Sequence, residues 1–104
     1  MEPTKTERGF DIIYFTDHYS NKCSLQKSSL ADQDCIWLGV DDLNPLVMAS
    51  EAAELGIQTD QTRGWVSYPI PSNVIFNNRM HLTRAQAAEL LPYLQKFVDT
   101  GELT

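Results

Sequence analysis

Between Phe10 and Thr16 the chain reads FDIIYFT, apolar at nearly every position and rich in aromatic and β-branched residues. That composition predicts a strand. Phe10, Ile12 and Tyr14 fall on one side and Ile13 and Phe15 on the other, so both faces should be covered. Asp17 to Asn21 is turn-forming, and KCSLQKS then alternates, with Cys23 and Leu25 inward, as the return strand of a hairpin. After a polar connection, Ser28 to Asp34, the run CIWLGV from Cys35 to Val40 predicts a third strand, with Gly39 marking a bend or a close backbone approach.

The period then lengthens. Asn44 and Pro45 suit the cap and first residue of a short helix over LVMASEAAEL, closed by Gly56 with Ile57 positioned for a Schellman ending. Gly64 to Val74 mixes Trp65, Val66, Tyr68 and Ile70 with Pro69 and Pro71, which restricts it to an edge strand or an extended loop. Ile75 to Leu82 predicts a last strand feeding a helix from Leu82 to Gly101. There, Thr83 and Gln86 match a capping box, Leu82 and Ala87 a hydrophobic staple, and Gly101 a left-handed end. Ala87, Leu90, Leu91, Leu94, Phe97 and Val98 share one face, and Pro92 lies opposite them, where it can bend the helix. The element order predicts an α+β fold: a small antiparallel sheet of three to four strands with the C-terminal helix packed across one face and a short inserted helix. The expected core is Ile12, Tyr14, Cys23, Leu25, Ile36, Leu38, Met80, Leu90, Leu94 and Phe97.

Length allows one domain over residues 1–104, with 1–8 a frayed lead-in. No apolar run is long enough to span a membrane, and the opening MEPTKTERGF lacks the apolar core of a signal peptide, so a soluble intracellular protein is expected. Net charge is −6, and its placement matters more than its size. Asp32, Asp34, Asp41, Asp42, Glu51, Glu54 and Asp60 stand in a stretch without Lys or Arg, while the flanking thirds are balanced. Such a stretch disfavours direct nucleic-acid binding and suits a basic protein surface; equally, it can be a solvated face.

The blocks YFTDHYSNKCSLQKSSLADQDCIWLGVDD and NRMHLTRAQAAELLPYLQKFVDTGEL resemble a family of small uncharacterised bacteriophage proteins. The resemblance covers rather more than half of the chain and implies a phage accessory protein in the host bacterial cytoplasm, with Asn44 to Ser72 as a variable insertion. It transfers no catalytic residue.

His18, Cys23, Cys35 and His81 could ligate zinc, but they lack the close pairs of a zinc signature, so no metal and no cofactor are expected. His18 with Cys23 lacks any marked oxyanion site. No calcium loop or phosphate loop is present either. The leading expectation is therefore a non-enzymatic phage protein that binds a bacterial host protein through Asp32, Asp34, Asp41 and Asp42 with the aromatic anchors Trp65 and Tyr68. In its most concrete form it counters a host defence by occupying a basic nucleic-acid surface. A small-ligand or nucleotide-sequestering protein using Arg79, His81 and an aromatic such as Trp65 is the alternative, and a small enzyme the third reading. Oligomeric state is left open by the sequence.

Overall fold

The computed structural model describes residues 1–104. The fold is α+β: strands β1 (Pro3–Lys5), β2 (Asp11–Thr16), β3 (Lys22–Lys27), β4 (Cys35–Val40), β5 (Leu46–Met48), β6 (Trp65–Ser67) and β7 (Arg79–Thr83) precede helix α1 (Arg84–Thr100). Five strands form one antiparallel sheet in the order β1-β2-β3-β4-β7, and β5 and β6 form a separate two-stranded ribbon. The chain divides into two compact units, Met1–Asp41 with Asn78–Thr104, and Asp42–Asn77. No helix is long and apolar enough to cross a membrane.

The sheet is larger than three or four strands because residues 3–5, expected to fray, pair with β2 as an edge strand. Pro3 fits there as the first residue of an edge, where the missing N–H costs no ladder bond. The β2–β3 turn is built by Asp17, whose carboxylate accepts the N–H groups of Tyr19 and Asn21 and the amide of Asn21, all at 2.9 to 3.0 Å. These bonds, the Asn21 amide first, hold the Asp17 carboxyl below its ordinary range.

Directly paired residues share a face. Ile13, Leu25, Leu38 and Met80 form one row, Phe15, Cys23 and Val40 a second, and Lys27, Ile36 and Leu82 a third, so one face is almost wholly apolar. The other carries Ile12, Gln26, Trp37 and His81, then Tyr14, Ser24, Gly39 and Arg79. Ile12 and Tyr14 thus lie opposite Cys23 and Leu25 rather than beside them, since a one-residue shift of register exchanges faces. Ile12 is buried all the same, whereas Tyr14 is exposed.

Gly39 has φ +153°, and a Cβ there would sit 2.8 Å from the Asn78 carbonyl oxygen and 2.9 Å from the Arg79 Cα. The close approach of β7 to β4 therefore requires glycine.

Helix α1 begins as its sequence indicates. Gln86 N–H donates to the Thr83 hydroxyl (3.1 Å) and the Gln86 side chain accepts from Thr83 N–H (3.0 Å), while Gly101 closes the helix in the left-handed region. The helix runs on through Pro92. Its expected packing across the sheet is absent. Ala87 and Leu90 are half-buried, but everything from Leu91 onward is exposed, Leu94 at 49% and Phe97 at 55%. The junction explains this: β7 ends at Thr83 and α1 starts at Arg84, leaving no connecting residue on which the helix could fold back.

The short inserted helix is also corrected. Leu46–Met48 is strand, followed by 3-10 turns over Ala49–Glu51 and Ala53–Leu55. Cross-strand partners override helical propensity here, because the Pro45 carbonyl accepts from Tyr68 N–H and Ala49 N–H donates to the Gly64 carbonyl. The ending matches expectation. Ile57 N–H reaches the Ala52 carbonyl and Gly56 N–H the Ala53 carbonyl, a complete Schellman pair around a left-handed Gly56.

Candidate functional site

Two surfaces carry chemistry, one in each unit. In the unit built on the five-stranded sheet, alternation along β7 puts Arg79 and His81 on the same face. On the neighbouring strand β4, directly paired with His81, stands Trp37, whose ring stacks on His81 with centroids 4.0 Å apart, while the Arg79 guanidinium lies 5.4 Å from the Trp37 ring centre. Arg79 donates to the Gln26 side-chain oxygen at 2.7 Å and to the Ser24 hydroxyl at 3.5 Å. Ser24 is fully buried and donates to the Asp41 carboxylate, and His81 Nε2 is 2.9 Å from the Ser28 hydroxyl. Asn78 caps the cluster by donating to the Val40 and Asp41 carbonyls.

This face is a wired polar layer, with no buried side-chain donor or acceptor left unpartnered. Its guanidinium is committed within the fold, and its exposed element is the His81 ring backed by Trp37. The arrangement offers a flat stacking surface beside a cation whose hydrogen bonds are largely taken. Arg79 and His81, expected as the alternative ligand-binding residues, are thus brought together, and Trp37 joins them. The i, i+2 spacing in RMHLT was the sequence signal for their shared face.

In Asp42–Asn77 the ribbon register pairs Leu46 with Ser67, Val47 with Val66, and Met48 with Trp65. Val66 is buried and Val47 half-buried, which turns the other rows outward. Leu46, Met48 and Trp65 consequently form an exposed apolar surface, Trp65 at 60%. Tyr68 follows β6, partly exposed, with its N–H held by Pro45. In composition this unit carries Asp42, Glu51, Glu54 and Asp60 against the single cation Arg63. Leu46 and Met48 were hidden from sequence reasoning by the helical reading of their segment.

The four aspartates named as partner-binding do not form one patch. Asp32 and Asp34 precede β4 and Asp41 and Asp42 follow it, so the pairs stand about 20 Å apart along an extended strand. Asp34 accepts from Lys27 at 3.0 Å, with Arg84 at 3.9 Å, and the Lys27 hydrogen bond and charge hold its carboxyl below the usual range. Asp41 is occupied by Ser24. Asp32 and Asp42 are exposed and lie in no ion pair.

Cys23 and Cys35, both buried thiols, project from opposite faces of the sheet, and no cluster of three metal-ligating side chains forms. Burial first, then the nearby charges of Asp17 and Asp41, pushes the Cys23 thiol up, away from the reactive thiolate. His18 packs against Tyr19 in the hairpin turn. A scan against protein-family models, a search of curated proteins and a search of solved structures each return no match.

Proposed function

We propose that the protein is a non-enzymatic binding module that engages another protein through the outward face of the β5–β6 ribbon. The carrying observation is the row Leu46, Met48 and Trp65, exposed side by side in a unit with four acids and one base. Aromatic anchors within a charged rim are the composition of interface centres. The acidic composition of the unit favours a partner with a basic surface. The likeness of the flanking blocks to phage-encoded proteins supports a bacterial host protein as that partner, and occupying a basic nucleic-acid surface as its consequence. Relative to the expectation from sequence, weight moves from Asp34 and Asp41, which serve the fold, to Asp42 and the acids of the ribbon unit.

The test is capture of a host protein by the full chain, its purification, and a binding measurement against variants. Trp65→Ala should weaken binding about 30-fold or more, the loss of a hot-spot side chain, with an unchanged circular dichroism spectrum. Asp42→Asn should chiefly reduce the salt dependence. Binding indifferent to Trp65→Ala refutes the ribbon as the interface.

A second reading rests on the Trp37–His81 stack: a planar ligand such as a nucleobase could extend it, with Arg79 beside it. It ranks second because Arg79 is already bonded to Gln26. A nucleotide panel in thermal shift distinguishes it, since ligand at about 100 times its dissociation constant adds about 2.7 kcal/mol.

A further inference from the structure

Two apolar surfaces in the sheet unit are left uncovered by the other elements of that unit. The first is the sheet face of Ile13, Phe15, Leu25, Ile36, Leu38, Val40 and Leu82, all half-buried, with Met80 51% exposed. The second is the far stretch of α1, where Leu91, Leu94, Phe97 and Val98 are exposed. They match in kind and in length. The apolar rows run across four strands, about 14 Å, and Leu90 to Val98 spans about 12 Å of helix.

Within one chain the two do not meet. The capping box and the Leu82–Ala87 staple position fix the helix directly to the end of β7, and no loop intervenes. The first turns lie beside Ile36 and Leu82, and the rest runs clear.

We propose that the chain forms a two-fold homodimer by helix exchange, each α1 laying Leu91, Leu94, Phe97 and Val98 over the apolar sheet face of the other copy. A two-fold axis satisfies both surfaces at once, because what each copy offers is what it lacks. The exposed area supports this. The chain presents 8639 Å². A compact monomer of its mass exposes about 5,900 Å², and dividing that mass between two separate compact bodies raises the figure only to roughly 7,000 Å². The surplus, on the order of 1,600 to 2,700 Å², exceeds the about 800 Å² per partner of a standard stable interface. The dimer surfaces belong to the sheet unit and the proposed partner surface to the ribbon unit, so the two proposals rest on different residues.

Sedimentation equilibrium of the full chain tests it. At about 100 µM, where a micromolar dimer is nearly fully assembled, the mass should be twice the 11.8 kDa of one chain. Leu94→Asp on the helix and Met80→Asp on the sheet each change an exposed side chain, so each should keep its strand signal in circular dichroism while the mass falls by half. A monomeric wild type overturns the proposal. So does a dimer that survives either variant, survival of Met80→Asp alone meaning that helices pair with each other rather than with the sheet. Trp65→Ala should leave the mass unchanged, which separates this result from any failure of the ribbon interface.

Discussion

The polar face of the sheet and the helix that follows it solve the problem of a side chain's surroundings in opposite ways. On the sheet, Arg79 lies over Trp37 and reaches Gln26 and Ser24, Ser24 reaches Asp41, and Asn78 ties the strand ends, so neighbours within the unit complete one another. Along α1 the backbone is equally well finished, capped at both ends, yet from Leu91 onward its apolar stripe is exposed. Capping decides whether a helix exists, while its burial depends on a second surface that capping does not specify. The difference predicts that damage to the sheet reaches the helix, whereas damage to the far helix spares the sheet.

Gly39→Ala is the strongest way to break the sheet side. The added methyl meets backbone atoms of Asn78 and Arg79 at 2.8 and 2.9 Å. Overlap of this kind costs about 1–3 kcal/mol, with backbone strain of similar size added at the unfavourable φ. The urea midpoint should fall sharply, and the Trp37 fluorescence signal and the helical signal should be lost together.

Most of the sheet was legible because its strands announce themselves locally: FDIIYFT, KCSLQK and CIWLGV are strands within a residue of their expected ends, and Gly39 marks the predicted close approach. Register was not legible. Which of Ile12 and Ile13 joins Leu25 depends on one residue of slip across a turn, and strand composition is silent on that. The segment from Leu46 misled for a different reason, since Asn44, Pro45 and the alanines fit a helix until Tyr68 and Gly64 supply competing partners from some twenty residues away. Of the candidate site, Trp65 and the pair Arg79 and His81 were visible, while Trp37, Leu46 and Met48 acquired their roles only through strand pairing.

Thr83→Ala probes the helix side with a smaller effect. Losing the hydroxyl that accepts Gln86 N–H should cost about 1 kcal/mol. Helical signal near 222 nm should fall while the strand pattern persists, the reverse of the joint loss expected for Gly39→Ala.

The mildest test concerns Asp34, which ties the β3–β4 connection to Lys27 and faces Arg84 at the helix start. Its folded carboxyl titrates below the unfolded value, so the stabilisation it gives is complete above the unfolded value near pH 4 and is lost as pH falls through the lower folded one. Asp34→Asn should flatten the fall of the thermal midpoint below about pH 4 and leave the pH 7 midpoint nearly unchanged, as expected of an exposed pair.

The contrast between a self-completed sheet face and an open helix is tested most directly by thermal melts of the wild type and Leu94→Asp over a hundredfold range of protein concentration. A helix whose apolar stripe closes only on a second copy makes the wild-type midpoint rise with concentration, and the variant's midpoint stay flat at the lower value. A wild-type midpoint independent of concentration, or a variant that follows the wild type, would contradict the account.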